Sequence, residues 1–314
     1  MIGFDGQVAI VTGGGRGLGR AHALDLARRG AFVVVNDVGA TTVSGLGQDA
    51  SVAEAVVSEI VASGGKAMAD ASDVADCGAT EALVARVIAG CGRVDVLVCN
   101  AGNQRFLHFG ETTRADYDSL VDTHLGGSFN MARACWRQMV AQGYGRIVFT
   151  CSQVGFYGQV DAVAYGAAKN GVLGLMHGIK LDALAAGIRV NCISPFAFTR
   201  MVEDLFPREL TQELAPEHVA AGVSYLASRD CTLNGEVLIA GGGHFAIART
   251  IETLGIDIAD PAAITAEAVM ERVSEITDTT RVGLYPDALG AVQVTFDRLV
   301  AQARAKARDA EGGA

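Results

Sequence analysis

The sequence predicts an α/β fold built on a doubly wound parallel sheet, because short apolar runs alternate with amphipathic stretches and a glycine-rich turn follows the first run. The amphipathic stretches are predicted to be helices, at about residues 17–29, 50–63, 79–89, 114–141, 160–186 and 217–227. The predicted strands contain, in order, QVAIVTG, AFVVVND, GKAMADASDV, VDVLVCNAG, GRIVFTCS, IRVNCISP and EVLIAGGG. Such βαβ alternation is typical of parallel strands with helices on both faces of the sheet.

Two segments depart from this alternation. Residues 38–49 are rich in Gly, Thr and Ser, and they are predicted to form an irregular loop after the second strand. Strand signals stop after Gly243, and helical patterns follow at about residues 261–277 and 285–308, before a tail, DAEGGA, that is expected to fray. We therefore expect a core domain over residues 1–248 and a helical extension over residues 249–314 that docks on the core.

The composition argues against several classes of function. The net charge of −10, without a run of Lys and Arg, disfavours nucleic acid as a partner. Apolar runs are far shorter than the roughly 20 residues of a membrane span, and the first residues do not resemble a signal peptide, so we expect no membrane association and a cytoplasmic location. The seven cysteines form no CxxC pair, and no HExxH or Cys/His cluster predicts a metal site.

The glycine-rich turn, TGGGRGLG, lies between the first predicted strand and the first predicted helix. Glycines allow a sharp turn and let backbone N–H groups approach a pyrophosphate, whose charge the N-terminus of a helix stabilises. The strict GxGxxG spacing is absent and a plain tight turn is the alternative, but the position between strand and helix favours cofactor binding. The candidate cofactor-binding residues of this turn are Gly13, Gly15, Arg16, Gly17, Leu18 and Gly19.

Asp37 ends the second predicted strand and is the candidate for recognition of the adenosine ribose. A carboxylate here accepts hydrogen bonds from both ribose hydroxyls and repels a 2′-phosphate, which favours NAD over NADP. The alternative is an aspartate that only caps the following turn. Arg16 is a counterargument, since an arginine in the glycine-rich turn can reach a 2′-phosphate.

A tyrosine and a lysine four residues apart, Tyr165 and Lys169, form the candidate catalytic pair. On a helix the phenol and the ammonium share one face, so Lys169 is predicted to stabilise tyrosinate and lower the pKa of Tyr165. Such a tyrosine is suited to deprotonate an alcohol. Ser152, at the end of the predicted strand GRIVFTCS, is predicted to donate a hydrogen bond to the substrate oxygen. Taken alone, a Tyr/Lys pair usually belongs to a solvated helix face, and a serine at the end of a strand is usually a turn residue. The spacing of all three residues together is more specific.

With these motifs in this order over roughly residues 3–245, the chain resembles the short-chain dehydrogenase/reductase family, whose fold is of the Rossmann type. The resemblance implies that Tyr165 is the catalytic acid/base, that Lys169 also holds the nicotinamide ribose, and that Asn191 has a structural role. It also implies an assembly of two or four identical chains. Further cofactor-binding residues implied by the resemblance are Asp73, Val74, Asn100, Ala101, Gly102, Pro195 and Thr199.

Two departures from the family pattern concern catalysis and the substrate. Where many members have a catalytic Asn in NxxG, this chain has His124 in HLGG; His124 either replaces Asn in a proton relay or fills the core. Pro195 is followed by Phe196 where Gly is common, which suggests a reshaped apolar entrance. The candidate substrate-binding residues, which are alternatively a lid or an oligomer contact, are Phe196, Phe198, Met201 and Phe206.

The finer resemblance is to the (3R)-hydroxyacyl-CoA dehydrogenase part of the peroxisomal D-bifunctional protein and its bacterial relatives, on VVVNDVG, THLGGSFNMARACW, GRIVFTCSQVGFYG, PFAFTRM and RTIETLGID followed by PAAITAEAV. It implies NAD-dependent oxidation of a (3R)-hydroxyacyl-CoA to a 3-oxoacyl-CoA, of a fatty acid or a steroid side chain. Arg105 and Arg200 are hypothetical contacts for the CoA part of the substrate. The alternatives are a dehydrogenase of a free hydroxysteroid, polyol or other secondary alcohol, and a protein that senses NAD without turnover.

Overall fold

The structure is a computed structural model that describes residues 1–201 and 208–312, so Phe206 of the predicted pocket lies outside the described residues. Contacts between Cα atoms divide the chain into two compact units, Met1–Ala248 and Arg249–Ala314. Among the described residues, no helix combines the length and the apolar character needed to cross a membrane.

An eight-stranded sheet forms the centre of the first unit, with its strands in the order β3-β2-β1-β4-β5-β6-β7-β8. Seven strands are parallel, and β8 pairs antiparallel with β7. The predicted doubly wound parallel sheet is therefore confirmed. The strands are β1 (Val8–Thr12), β2 (Phe32–Asn36), β3 (Lys66–Asp70), β4 (Val96–Cys99), β5 (Gly145–Thr150), β6 (Ile188–Pro195), β7 (Val237–Gly241) and β8 (His244–Ala248).

The edge strand β8 corrects the expectation that strands end at Gly243. Gly242 and Gly243 have φ angles of 53° and 76°, and this left-handed pair makes the tight turn that returns the chain along β7. Most of β8 is exposed, including the side chains of Phe245 and Ile247. The strand has the sequence HFAIA, a short apolar run that the sequence analysis did not recognise as a strand.

Helices cover both faces of the sheet, and each face has its own apolar cluster. Residues that alternate along the strands separate into the two clusters; Ile10, Leu97 and Ile147 belong to one, and Val11 and Val148 to the other. The helices of the first unit are α1 (Gly17–Arg28), α2 (Ser51–Ala62), α3 (Cys77–Cys91), α4 (Arg114–Val121), α5 (Gly127–Gln142), α6 (Gln153–Tyr157), α7 (Val163–Ala185) and α8 (Pro216–Ala227).

The long helix predicted over residues 114–141 is interrupted. It begins with a capping box between Thr113 and Asp116, and a π-helical turn, Asp122–Gly126, separates α4 from α5. The apolar periodicity continues through the interruption, which is why the sequence predicted one helix. The turn places His124, its central residue, on a locally widened stretch of backbone.

A crevice forms between the carboxyl ends of β1 and β4. It forms there because the chain continues from β1 to β2 on one side and from β4 to β5 on the other side of the sheet. The Thr12 hydroxyl accepts the backbone N–H groups of Asn100 and Ala101 at 3.0 and 3.1 Å. The Asn100 side chain donates in return to the carbonyl oxygens of Thr12 and Gly13, both at 3.1 Å. These bonds fix the carboxyl ends of β1 and β4 side by side, where parallel sheets of this type bind their ligands.

The second unit is mainly helical, as predicted for the extension. It also contains a two-stranded pair, β9 (Glu252–Thr253) with β10 (Val282–Gly283), that its two-residue strands did not reveal in the sequence. Its last helix runs to Gly312, past the predicted end at residue 308 and into the tail that was expected to fray. The helices are a 3₁₀ turn (Pro261–Ala263), α9 (Ala266–Glu271), α10 (Val273–Ile276) and α11 (Ala288–Gly312).

Candidate active site

A cavity of about 590 Å³ lies at the carboxyl ends of the parallel strands. It brings together most of the residues predicted for cofactor, catalysis and substrate. All of the lining residues belong to the first unit. The predicted residues that line it are Gly13, Arg16, Gly17, Leu18, Asp37, Asp73, Val74, Asn100, Ala101, Gly102, His124, Ser152, Tyr165, Lys169, Pro195, Phe196, Thr199 and Met201.

The glycine-rich turn has no room for side chains. A Cβ atom on Gly13 would lie 2.8 Å from the Cα of Ala101, and one on Gly19 would overlap the carbonyl oxygen of Gly13. Gly13 and Gly17 also have φ angles of 61° and 49°. Gly15 and Gly19 do not line the cavity; their role is to let the turn fold tightly against α1 and β2.

The N-terminus of α1 faces this turn without a side-chain cap in the described part of the chain, since the N-cap residue is Arg16. Its first backbone N–H groups therefore lack the hydroxyl or carboxylate partner that usually satisfies them. A cradle of bare backbone with unpaired N–H groups at a helix N-terminus fits the pyrophosphate of a dinucleotide. The residues present therefore fit the predicted cofactor.

Asp37 follows β2 directly and is oriented by two backbone groups. Its Oδ2 accepts the N–H of Gly15 at 2.9 Å, and its Oδ1 accepts the N–H of Gly39 at 2.7 Å. Each carboxylate oxygen keeps a second lone pair, because an ionised carboxylate accepts about four hydrogen bonds. Arg16 donates to the carbonyl oxygen of Ala40 at 2.8 Å, so its guanidinium is engaged with the loop over residues 38–49.

Other cofactor candidates form the two ends of the same cavity. The Val74 carbonyl accepts the side-chain amide of Asn130 at 3.0 Å, and Asp73 accepts the N–H of Ala75 at 2.9 Å, which fixes the turn after β3. Thr199 contacts the glycine-rich turn, since a Cβ on Gly17 would lie 3.5 Å from its Cγ2. These contacts join the β3 end of the cavity, through the glycine-rich turn, to the segment after β6.

The candidate catalytic residues meet where α6 packs against α7. Ser152 is the N-cap of α6 and accepts the N–H of Val154 at 3.2 Å, which leaves its own hydroxyl hydrogen for an acceptor in the cavity. The close approach of Gly155 to α7, where a Cβ would lie 3.0 Å from the Asn170 nitrogen, brings Ser152 to Tyr165, and the two side chains form a hydrogen bond.

Lys169 lies one helical turn after Tyr165 and is only 4% exposed. Its Nζ donates to the carbonyl oxygen of Thr150 at 2.7 Å and lies 5.6 Å from the centre of the Tyr165 ring. Burial lowers the pKa of Lys169 to about 8. Two of its three ammonium hydrogens remain for other acceptors.

The pKa of Tyr165 departs from the sequence expectation. Burial raises it to about 12, and the hydrogen bond from Ser152 opposes that rise without cancelling it. Lys169 was expected to lower this pKa, but it is directed at the Thr150 carbonyl and is itself buried. The groups of the chain therefore hold Tyr165 as a neutral phenol near pH 7.

His124 lines the cavity from the π-helical turn, and its ring meets that of Tyr165 edge to face, with 5.2 Å between ring centres. Asn191 binds Leu233 and Glu236 through its side chain, which ties β6 to the segment before β7. Arg105 pairs with Asp116, and Arg200 donates to the carbonyls of Thr41 and Ala40. Both arginines that were considered as contacts for the CoA part of a substrate are thus bonded to acceptors of the chain itself.

The substrate side of the cavity differs in part from the prediction. Phe196 and Met201 line it, whereas Phe198 does not and instead donates its N–H to Leu214. The sequence did not indicate the additional lining residues. They lie in the loop after β4 and on α6, and only the fold brings them to the cavity. They include Asn103, Gln104, Phe106, Val154 and Tyr157.

Comparison with known proteins agrees with this geometry. The sequence profile described as short chain dehydrogenase matches residues 7–210. The peroxisomal multifunctional enzyme type 2 of Mus musculus is 41% identical over 276 residues, which cover 88% of this chain and 37% of the mouse protein.

Two solved structures show the same fold. The full-length peroxisomal multifunctional enzyme type 2 from Drosophila melanogaster superposes with a TM-score of 0.79 at 31% identity, over 96% of this chain and 50% of the fly chain. A 7α-hydroxysteroid dehydrogenase complexed with NADH and 7-oxo glycochenodeoxycholic acid gives a TM-score of 0.69 at 28% identity, over 77% of this chain and 95% of that one. This chain thus spans half or less of the mouse and fly relatives. It belongs to the short-chain dehydrogenase family, whose members are oxidoreductases that normally use a nicotinamide cofactor.

Proposed function

We propose that this enzyme oxidises a secondary alcohol with NAD, and that the alcohol is a (3R)-hydroxyacyl-CoA. The observation that carries the proposal is the group of Ser152, Tyr165 and Lys169 in one cavity with Asp37 and an uncapped helix N-terminus. The finer step, from alcohol to hydroxyacyl-CoA, is supported by the matching sequence segments and by the likeness to multifunctional enzymes over most of the chain.

Tyr165, Ser152 and Lys169 have different roles in the proposed oxidation. Tyr165 takes the proton of the substrate hydroxyl, and Ser152, whose oxygen already accepts from Val154, donates its hydrogen to the substrate oxygen. Lys169 keeps one hydrogen bond to Thr150 and offers the others to the nicotinamide ribose. When bound, the oxidised nicotinamide supplies a hydride acceptor and a positive ring charge.

This assignment sets the direction of the pH dependence. A base must be deprotonated to accept a proton, and burial raises the pKa of Tyr165 to about 12. Below that pKa the phenolate fraction increases about tenfold for each pH unit, so alcohol oxidation becomes faster as the pH rises. Ketone reduction, which needs the neutral phenol as an acid, follows the opposite trend.

NAD, rather than NADP, is supported by the surroundings of Asp37. Its carboxylate lines the cavity and is held by Gly15 and Gly39, so it cannot swing away from a 2′-phosphate without breaking both hydrogen bonds. Arg16, the group that favours a 2′-phosphate, is engaged with the Ala40 carbonyl. The negative charge therefore faces the adenosine ribose, while the Arg16 guanidinium is hydrogen-bonded to a backbone carbonyl.

The apolar lining of the substrate side favours a lipid over a polyol. Phe106, Val154, Phe196 and Met201 line this part of the cavity, and they provide apolar surface that an acyl chain or a steroid would cover and a polyol would not. A free hydroxysteroid is the second candidate, because the 7α-hydroxysteroid dehydrogenase shares the fold over 77% of this chain. The alternative of a protein that senses NAD without turnover is disfavoured, because Ser152, Tyr165 and Lys169 are all present.

The experiment is a substrate panel with the purified protein. Formation of reduced nicotinamide is followed with NAD or NADP against paired (3R)- and (3S)-hydroxyacyl-CoAs, hydroxysteroids and simple secondary alcohols. Selective turnover of the (3R)-thioester with NAD is the expected result. Turnover of a free alcohol alone would overturn the substrate assignment, and tight NAD binding without any turnover would favour the sensing protein.

A further inference from the structure

The π-helical turn between α4 and α5 carries one side chain into the heart of the cavity. His124 is 2% exposed and lines the cavity next to Tyr165. A π-helical turn widens the backbone and is frequently found at functional sites.

The hydrogen bonds of His124 favour one protonation state. Its Nε2 lies 2.8 Å from the carbonyl oxygen of Asn103 and 3.3 Å from the backbone nitrogen of the same residue. A carbonyl oxygen only accepts, so the shorter of the two contacts is a hydrogen bond when Nε2 carries the hydrogen. Burial, reinforced by the charge of Lys169, holds the pKa of His124 well below its usual range, so the ring is neutral. Nδ1 is then a bare lone pair, and it has no hydrogen-bond partner among the residues that the structure describes.

A ring in this state cannot pass a proton along a chain. A histidine conducts a proton either by becoming imidazolium or by taking a proton on one nitrogen while releasing one from the other. The first route is disfavoured by the depressed pKa, in a pocket that also holds Lys169. The second is blocked because the Nε2 hydrogen is held by the Asn103 carbonyl, which cannot accept it covalently.

Core filling alone does not explain the residue either. An apolar ring would fill the same space, whereas a buried ring nitrogen without a partner costs about 1–3 kcal/mol. The neighbourhood is also shaped around this ring: a Cβ on Gly102 would overlap the His124 Cε1. Its edge-to-face contact with Tyr165, at an interplanar angle of 87°, is the favoured geometry for two aromatic rings.

We propose that His124 is a positioning residue, which holds the Tyr165 ring by its edge contact and the Asn103 carbonyl by its Nε2 hydrogen, and which lies outside the path of the transferred proton. The inference rests on the assignment of Tyr165 as the acid/base proposed above. Misplacement of a reacting group by about 1 Å costs up to about 10²-fold in rate, which sets the scale of the effect.

Two substitutions separate the two ring nitrogens. In His124→Gln the side-chain amide reaches the position of Nε2 and keeps a hydrogen for Asn103, but it removes the acceptor at Nδ1. In His124→Asn the shorter amide keeps a polar atom at the position of Nδ1 and loses the bond to Asn103. His22→Gln is the matched control, because His22 is 1% exposed in α1 and does not line the cavity.

Turnover is measured with the best alcohol of the panel, together with the cofactor Kd and the melting temperature. We expect His124→Gln, which keeps the hydrogen bond to Asn103 but loses the ring edge against Tyr165, to lose less kcat than His124→Asn, which loses both contacts and should fall by about 10²-fold in kcat with little change in cofactor Kd. His22→Gln keeps kcat. The pH profile of His124→Gln should match that of the wild type, because no proton is lost or gained at this position.

Three results would overturn the proposal: a fully active His124→Asn with an impaired His124→Gln, equal effects in the two variants, or a limb of the pH profile that disappears with His124. Should His124→Asn fail to fold, the pH profile and kcat of His124→Gln decide alone. Tyr165→Phe is measured alongside. If it remains active, the proposed function has failed; if it is inactive while both His124 variants are fully active, only the present inference has failed.

Discussion

Replacement of Asp37 by alanine is expected to change the choice between NAD and NADP. The carboxylate is the negative group proposed to contact the ribose, and hydrogen bonds to a charged group contribute about 1.5–3 kcal/mol. The variant loses this contribution for NAD. For NADP it also removes the repulsion between the carboxylate and a 2′-phosphate, about 1–4 kcal/mol for unit charges roughly 4 Å apart at a protein surface.

The lower ends of these two ranges combine to about 2.5 kcal/mol, which is a shift of roughly 60-fold in the NAD/NADP ratio of kcat/KM. The substitution also removes the acceptors for Gly15 and Gly39 and so loosens the turn. Loosening of the turn weakens both cofactors alike, because both place their pyrophosphate at α1. The ratio therefore isolates the effect at the ribose.

The assay is kcat/KM for each cofactor at saturating alcohol and low ionic strength, supported by Kd values from reduced-cofactor fluorescence. Arg16→Ala is the control, since the Arg16 guanidinium is paired with the Ala40 carbonyl, and it should move the ratio by less than about threefold. A ratio that stays within about threefold in Asp37→Ala would refute the reasoning. So would a larger change in Arg16→Ala than in Asp37→Ala.

Two further predictions concern the glycine-rich turn and acid stability. Gly19→Ala should abolish measurable cofactor binding, because the new Cβ overlaps the Gly13 carbonyl, whereas Gly90→Ala in α3, where nothing lies within 4 Å, should stabilise by about 0.5–1 kcal/mol. Cofactor fluorescence titration and chemical denaturation test both, and retained binding in Gly19→Ala would contradict the account. Burial lowers the pKa of His22 from 6.5 to about 4, so the unfolded chain binds the proton first as the pH falls. The wild type should therefore lose about 3 kcal/mol more stability than His22→Gln between about pH 7.5 and pH 4, with little of the difference above about pH 6.5. Denaturation curves that fall in parallel would contradict this.

The buried strands and the cofactor turn are predictable from sequence because each depends on a local rule. β1, β4 and β5 are buried on both faces and therefore appear as continuous apolar runs. The glycine-rich turn is visible because backbone that must pass close to other backbone tolerates only glycine. The placement of Tyr165 and Lys169 on one face follows from helix geometry, whereas the approach of Ser152 to them depends on the packing of α6 against α7.

What the sequence did not reveal depends on tertiary contacts. The edge strand β8 contains an apolar run, FAIA, that stays partly exposed, so hydrogen bonds to β7 rather than burial hold it in the sheet. The π-helical turn at His124 keeps the apolar spacing of a regular helix. The raised pKa of Tyr165 results from burial by segments distant in sequence, which no motif encodes.

The substitution Tyr165→Phe tests the central claim most directly, since it removes the phenol hydroxyl and leaves the ring in its place against His124. Turnover with NAD and the best alcohol of the panel is measured beside the Kd for NADH. We expect the rate to fall by about 10²- to 10⁴-fold while the Kd changes by less than about threefold. A variant that keeps most of the wild-type rate would contradict the assignment of Tyr165 as the acid/base of this oxidoreductase.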